Sequence, residues 1–304
     1  MTQIPVFFTP AMVAQVASFS PSAGKPSEVA RSWQRFGSAL TFHEPEPATV
    51  AQICMAHDRA YVEAVLDCKA DNGFRDRSRS VADSLPYTSG AMLTAAQAAI
   101  DNRQVAVAPC SGFHHAGWSH GGGYCTFNGL MVTACALKHA GAVLRIGILD
   151  FDEHWGDGTH DIVTKLGASD WVVHYSPSSD FGTVELSDAF IEAIPGLLSR
   201  FARCDLVLYQ AGADQHIDDP LGGWMTTEQL RRRDQAVFRV LKGMRVPVAW
   251  NLAGGYQQPL RKVLDIHDNT LSACLAVYGA TGRASQTPNV QGALATNPRF
   301  VRSI

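Results

Sequence analysis

Residues 143–159, VLRIGILDFDEHWGDGT, constrain the chain most. The first half is apolar and largely β-branched at Val143, Leu144, Ile146, Ile148 and Leu149, as a strand buried inside a parallel sheet requires. The second half changes character, with Asp150, Asp152, Glu153, His154 and Asp157 close together. In extended backbone alternate side chains share a face. Asp150, Asp152 and His154 are therefore expected to point one way where the strand leaves the sheet. An acidic turn would account for any one of these carboxylates. Carboxylate and imidazole in alternation suit a divalent cation better, and the mixed oxygen and nitrogen set favours zinc or iron. Gly156 and Gly158 permit a tight turn, and Thr159 is expected to cap the next helix.

The same strand-then-helix rhythm runs through the chain. Further strands are expected at 5–8, 105–108, 171–175, 206–210 and 246–252. Helices are expected at 47–66 with a break near His57 and Asp58, at 89–100 with Ser89 as cap, and from Asn128 to about Ala140. Others follow at 159–166, at 187–203 with a break at Pro195, at 227–244 and over most of 259–278. Residues 11–26 and 69–86 read as loops, the second carrying Arg75, Arg77 and Arg79 as a solvated stretch or a substrate-facing rim. Arg231, Arg232 and Arg233 read as a solvated helix face. The tail beyond Gly279 gives weak signals. Alternating elements without repeat or linker indicate an α/β fold, one domain over residues 1–304 built on a doubly wound parallel sheet. Ligands of such sheets bind beyond the carboxyl ends of the strands. The unusual residues collect there: His114 and His115, Asp150 to Asp157, His174, Asp214 and Tyr256.

Composition narrows the function classes. A net charge of -3 argues against a nucleic-acid partner. No apolar run reaches membrane-spanning length. Seven scattered cysteines without a CxxC pair suit reduced thiols and a cytoplasmic location. The first residues lack the basic region of a signal peptide.

Asp214 offers a carboxylate from another strand end. With Asp152 and His154 it would form two carboxylates and one imidazole, leaving a coordination position open, as catalytic metal sites do. Alone it would read as a cap. His114 and His115 form a tandem pair beside glycines and suit acid–base work on a water at the metal. Asp150 and Asp157 are the natural carboxylates to orient the imidazoles. Tyr256, after Gly254 and Gly255, could be a packed aromatic or a phenol that donates to an oxyanion. Together these groups describe metal-assisted hydrolysis of an amide.

At this level of detail the chain resembles the zinc-dependent histone deacetylase family, including its bacterial acetylpolyamine amidohydrolase and deacetylase-like members. GFHHA at 112–116, GGYCTFN at 122–128, DFDEHWGDGT at 150–159, AGAD at 211–214 and GGY at 254–256 resemble its motifs in order and spacing. The resemblance implies an arginase-deacetylase fold and zinc on Asp152, His154 and Asp214. It implies His115 as general base, with His114 as electrostatic partner or acid. Tyr256 would polarise the acetyl carbonyl and the Gly123 carbonyl would accept the substrate N–H. Tyr124 and Phe181 would wall a narrow channel for a lysine-like stem, whose CH₂ groups each gain roughly 0.8 kcal/mol on burial. Trp155 replaces a second histidine of many members, so altered packing is expected there. Val172 stands where many members have a serine that helps bind potassium near Asp150, so a potassium ion would rest on backbone carbonyls. Leu221 lies where polyamine-selective members have a glutamate that reads a second ammonium, which favours a monocationic substrate.

The expected function is therefore a zinc amidohydrolase that removes acetyl or another short acyl group from a lysine-like amine. An acetylpolyamine or other small-amide deacetylase is the alternative; acidic residues at the mouth, or a homo-oligomer that narrows it, would favour that. A two-metal ureohydrolase fits less well, because no second full set of carboxylates follows Asp214. A non-catalytic acyl-lysine binder would not need Tyr256 and the histidine pair.

Overall fold

The computed structural model describes residues 3–177 and 180–279. In chain order its elements are β1 (Ile4–Phe7), α1 (Lys25–Trp33), β2 (Leu40–His43), α2 (Val50–Ile53), α3 (Arg59–Leu66), α4 (Arg79–Asn102), β3 (Val105–Val107) and α5 (Gly129–His139). They continue with β4 (Ile146–Asp150), α6 (Asp157–Lys165), β5 (Val172–Tyr175), α7 (Ser187–Leu198), β6 (Leu206–Gln210), α8 (Thr227–Met244), β7 (Val248–Asn251) and α9 (Arg261–Tyr278). Among the described residues seven strands form one sheet, in the order β2-β1-β3-β7-β6-β4-β5. Every pairing is parallel.

Alternation along the strands sorts the core into two layers. Leu149, Val207, Tyr209, Val248 and Trp250 face α1, α7, α8 and α9. Ile146, Ile148, Leu206, Leu208 and Ala249 face α2 to α6. Both faces are covered, so the strands read as nearly continuous apolar runs. This is the doubly wound parallel sheet expected from the sequence.

Local chemistry fixes several boundaries as expected. Asp58 caps α3 by accepting from the Tyr61 N–H, which explains the break after α2. The Asn128 side chain accepts from the Met131 N–H and caps α5. Helix α8 matches its expected range and opens with a capping box at Thr226 and Gln229.

Other expectations are corrected. The central strand starts at Ile146, because Leu144 is 76% exposed and only Val143 turns inward. Thr159 lies inside α6, whose cap position is Gly156. Ser89 is buried in the interior of α4, which begins after Ser78 and absorbs Pro86. The Pro86 carbonyl accepts from the Ala48 N–H at 2.8 Å. The stretch 69–86 is thus a loop only as far as Ser78. Pro195 does not end α7, which runs to Leu198 before a short 3-10 turn. Strand β2 and helix α1 had no clear signal: β2 is a half-exposed edge strand, and α1 follows a Ser/Gly/Pro-rich segment. Arg233 is fully buried rather than solvated. The tail beyond Gly279 lies outside the described residues. No helix among the described residues is long and apolar enough to cross a membrane.

Candidate active site

Strands β4 and β6 are neighbours, and Asp150 pairs with Gln210 at their carboxyl ends. The loops that leave these ends therefore meet, although some sixty residues separate them. They bring Asp152, His154 and Asp214 together with one ligand atom from each, all within 4.8 Å of one another. His154 Nδ1 lies 3.2 Å from Asp152 Oδ1 and 3.3 Å from Asp214 Oδ2. The loop after β7 closes the floor. The Gly254 N–H donates to Asp152 Oδ2 at 2.8 Å. Gly254 packs so closely on both carboxylates that any Cβ there would collide with Asp214 Oδ2 and Asp152 Oδ2.

The electrostatics suit a cation. Burial, and then the charge of Asp152, pushes Asp214 up to about 7. Burial opposes ionisation of Asp152 too, but His114 and His154 overcome it and hold its pKa below the usual carboxylate range. Hydrogen bonds to Asp152 and then Asp214 push His154 up to about 11. Two buried carboxylates and an imidazole at one spot fit a divalent ion that takes oxygen and nitrogen ligands.

Asp150 points elsewhere. It is fully buried. Its Oδ2 lies 2.8 Å from His114 Nδ1, and its Oδ1 accepts from Gln210 Nε2 at 2.9 Å. Gln210 in turn accepts from the Phe113 N–H at 3.3 Å, fixing the histidine loop to β6. Nothing in the sequence marked Gln210, because its role depends on which strand lies beside β4. His114 Nε2 sits 3.4 Å from Asp152 Oδ1. Burial lowers the affinity of His114 for a proton, but Asp150 and Asp152 outweigh it and raise its pKa to about 9.

His115 pairs with Asp157 through Nδ1 and Oδ1 at 2.6 Å. Burial and the neighbouring His114 lower its pKa, although the Asp157 hydrogen bond works the other way. Gly123, at φ 52°, lies flat against the His115 ring, where a Cβ would collide. Asn128 and Thr159 lock this corner. Asn128 Nδ2 donates to Ala116 O at 3.2 Å and to Thr159 Oγ1 at 2.9 Å, and the Thr159 N–H donates to His114 O at 2.9 Å.

A small cavity lined by His114, Gly123, Tyr124, Asp152, Gly254 and Tyr256 adjoins this cluster. The Tyr256 N–H donates to Asp219 Oδ2 at 2.8 Å; its ring stacks on the exposed Phe19 and meets Tyr124 at a tilt. Burial, with Asp214 and Asp152 nearby, pushes its phenol far above the ordinary range, so it stays a donor. Lys25 was not singled out in the sequence. It is buried and donates to the Ala253 and Gly254 carbonyls at 2.6 and 3.1 Å, bracing the loop that carries Tyr256. Burial lowers its pKa to about 8. Phe181 is not a wall of this cavity; it packs on Phe190 with ring centroids 5.0 Å apart. Leu221 is exposed on the loop between Asp219 and Gly222. Trp155 is also exposed, with its ring near those of His160 and His174. Val172 pairs with Ile146, four residues before Asp150, so it does not sit beside that carboxylate. Tyr175, the last residue of β5, pairs with Leu149.

Comparison with known proteins places the chain. The histone deacetylase domain model matches residues 24–176 and 169–271. An uncharacterised protein of Picosynechococcus sp. is 29% identical over 255 residues, covering 78% of this chain and 81% of that protein. The chloroplastic histone deacetylase 14 of Arabidopsis thaliana is 28% identical over 225 residues, covering 59% of this chain and 53% of that protein. The chain thus spans about half the length of that plant relative. The crystal structure of an acetylpolyamine aminohydrolase from Burkholderia pseudomallei superposes with a TM-score of 0.70 at 18% identity, covering 90% of this chain and 99% of the other. The fold is of the arginase-deacetylase type.

Proposed function

The chain belongs to the histone deacetylase family, and from that premise we propose that it is a zinc-dependent amidohydrolase that removes acetyl or another short acyl group from lysine-like amines. The observation that carries this reading is the convergence of Asp152, His154 and Asp214, with ligand atoms within 4.8 Å of one another, beside the cavity that Tyr256 lines. These three residues would hold the zinc. When bound, zinc would supply a Lewis acid for the carbonyl and lower the pKa of water.

The chain's own groups do the rest. Asp157 accepts the Nδ1 proton of His115, which leaves Nε2 as the acceptor for the proton of the attacking water. The lowered pKa of His115 keeps it neutral near pH 7 and ready for that step. His114, whose affinity for a proton Asp150 and Asp152 raise against burial, would supply positive charge where the oxyanion develops. The Tyr256 phenol donates to the same oxygen. The Gly123 carbonyl accepts the substrate N–H, and Tyr124 flanks the alkyl stem.

The acetylpolyamine substrate is kept as a second reading by one feature. The partly buried Glu153 side chain packs against Gly222, next to Leu221. It brings a carboxyl group close to the position where Leu221 supplies none; burial pushes that group up to about 7, so a second ammonium would be favoured where it ionises.

The test is turnover of acyl-lysine peptides, acetylated polyamines and small neutral amides by the zinc-loaded protein, together with elemental analysis. Release of acyl groups from the lysine peptides with one zinc per chain is the expected result. Turnover confined to acetylpolyamines would favour the second reading, and binding without turnover would overturn both.

A further inference from the structure

Arg231, Arg232 and Arg233 look alike in the sequence, but only Arg233 is withdrawn from water, at 0% exposure. Its guanidinium ends between the two loops that carry the carboxylate ligands. Nη1 lies 3.1 Å from Phe151 O, 2.9 Å from Gly212 O and 2.8 Å from Gln215 Oε1. Phe151 precedes Asp152, and Gly212 and Gln215 flank the segment that bears Asp214. One side chain of α8 thus ties the loop after β4 to the loop after β6. Gln215 Nε2 also reaches toward the carbonyl of Asp152, at 3.5 Å.

The cation is itself anchored. Arg233 Nε donates to Asp234 Oδ1 at 2.8 Å. Asp234, 1% exposed, accepts from Tyr209 OH and from Thr270 Oγ1, both at 2.5 Å. The network therefore joins α8, β6 and α9 to both ligand loops. A buried ion pair is a poor way to gain stability, since apolar residues of like volume often do as well or better. The rigid guanidinium plane, however, fixes Nη1, where the three oxygens gather, relative to Nε, which Asp234 holds, and a flexible lysine stem would not fix that point. Its charge also interacts favourably with that of Asp214.

We infer that Arg233, held by Asp234, is a positioning residue for the metal ligands: it sets the spacing of Asp152 and Asp214 before a cation arrives. This rests on the zinc reading above.

The experiment measures zinc affinity of the full chain by competition with a chelator, in wild type, Arg233→Met and Arg233→Lys, alongside the melting temperature of each metal-free protein. Arg233→Met is expected to weaken zinc binding by ~10- to 100-fold, the usual effect of losing a group that orients metal ligands. Arg233→Lys, which keeps the charge and loses the fork, is expected to fall between the two. KM for the amide at saturating zinc should stay unchanged, because the guanidinium does not line the substrate cavity. Should Arg233→Met fail to fold, Arg233→Lys decides alone. Variants that melt earlier yet bind zinc as tightly as wild type would overturn the inference and leave only a structural role. Wild-type protein that takes up no zinc would overturn the metal reading itself, a result distinct from that one.

Discussion

Two histidine–carboxylate pairs stand side by side in this molecule and behave in opposite ways. His114 and Asp150 are nearly closed to water, with side-chain exposures of 3% and 0%. His115 and Asp157 lie toward the rim, at 22% and 59%. Burial alone would make the deeper histidine the harder one to protonate. Instead it is the one raised, to about 9, while the shallower one is lowered. The deep ring has carboxylates on both nitrogens, Asp150 at 2.8 Å and Asp152 at 3.4 Å. The rim ring has one carboxylate, which water screens, and the cationic His114 beside it with ring centroids 4.1 Å apart. The number and screening of neighbouring charges, more than depth, sets the two rings apart.

The largest test of this division is removal of each ring. His115→Ala is expected to cost ~10³ or more in kcat, within the range for a lost general base, and His114→Ala distinctly less. Steady-state turnover at matched zinc occupancy measures both, and a larger loss for His114→Ala would reverse the assignment. Tyr256→Phe comes next. It removes one oxyanion donor and should lower kcat by ~10² to 10³ while zinc stays bound; near-normal turnover would mean that the standing charge of His114 suffices alone.

Asp157→Asn probes the rim pair itself and should cost ~10- to 100-fold through misorientation of the ring. The pH profile carries the sign. On the proposed role His115 works only when unprotonated, so a lowered pKa places the acid limb of kcat/KM below the ordinary imidazole value of about 6.5. Asp157 favours the protonated ring, so its replacement should move that limb further down. An upward shift would contradict the charge argument.

The smallest effect concerns a third ring. His57 is buried with no carboxylate; the Asn128 N–H donates to its Nε2 at 2.8 Å, and its Nδ1 therefore donates to Gly117 O at 2.9 Å. Burial lowers its pKa to about 4. The unfolded chain thus takes up this proton first as pH falls, so the stability is present above about pH 6.5 and lost on descent toward pH 4. The shift corresponds to roughly 3 kcal/mol at most. Urea unfolding between pH 7.5 and 5 should show a smaller loss in His57→Gln than in wild type, with turnover near pH 7.5 little changed.

Much of this was legible in the sequence because it is written locally. Continuous apolar runs announced buried parallel strands, and Asn128, Asp58 and the glycines mark where the chain must turn or start a helix. The spacing of DFDEH also put Asp152 and His154 within reach of one ion. Periodicity cannot say which strand lies beside which, and that decides the rest. Asp214 reaches Asp152 because β6 lies next to β4 while β5, between them in sequence, goes to the edge. The same order gives Asp150 its Gln210, and strand register sets Val172 against Ile146, four residues short of that carboxylate. Tertiary packing withdrew Arg233 from the solvated face that its neighbours Arg231 and Arg232 share, and carried Lys25 from a loop-like segment to the carbonyls behind Tyr256. A charged side chain reads as solvated in sequence because water is its cheapest partner; only the folded chain can bring it enough carbonyls and carboxylates to replace that water.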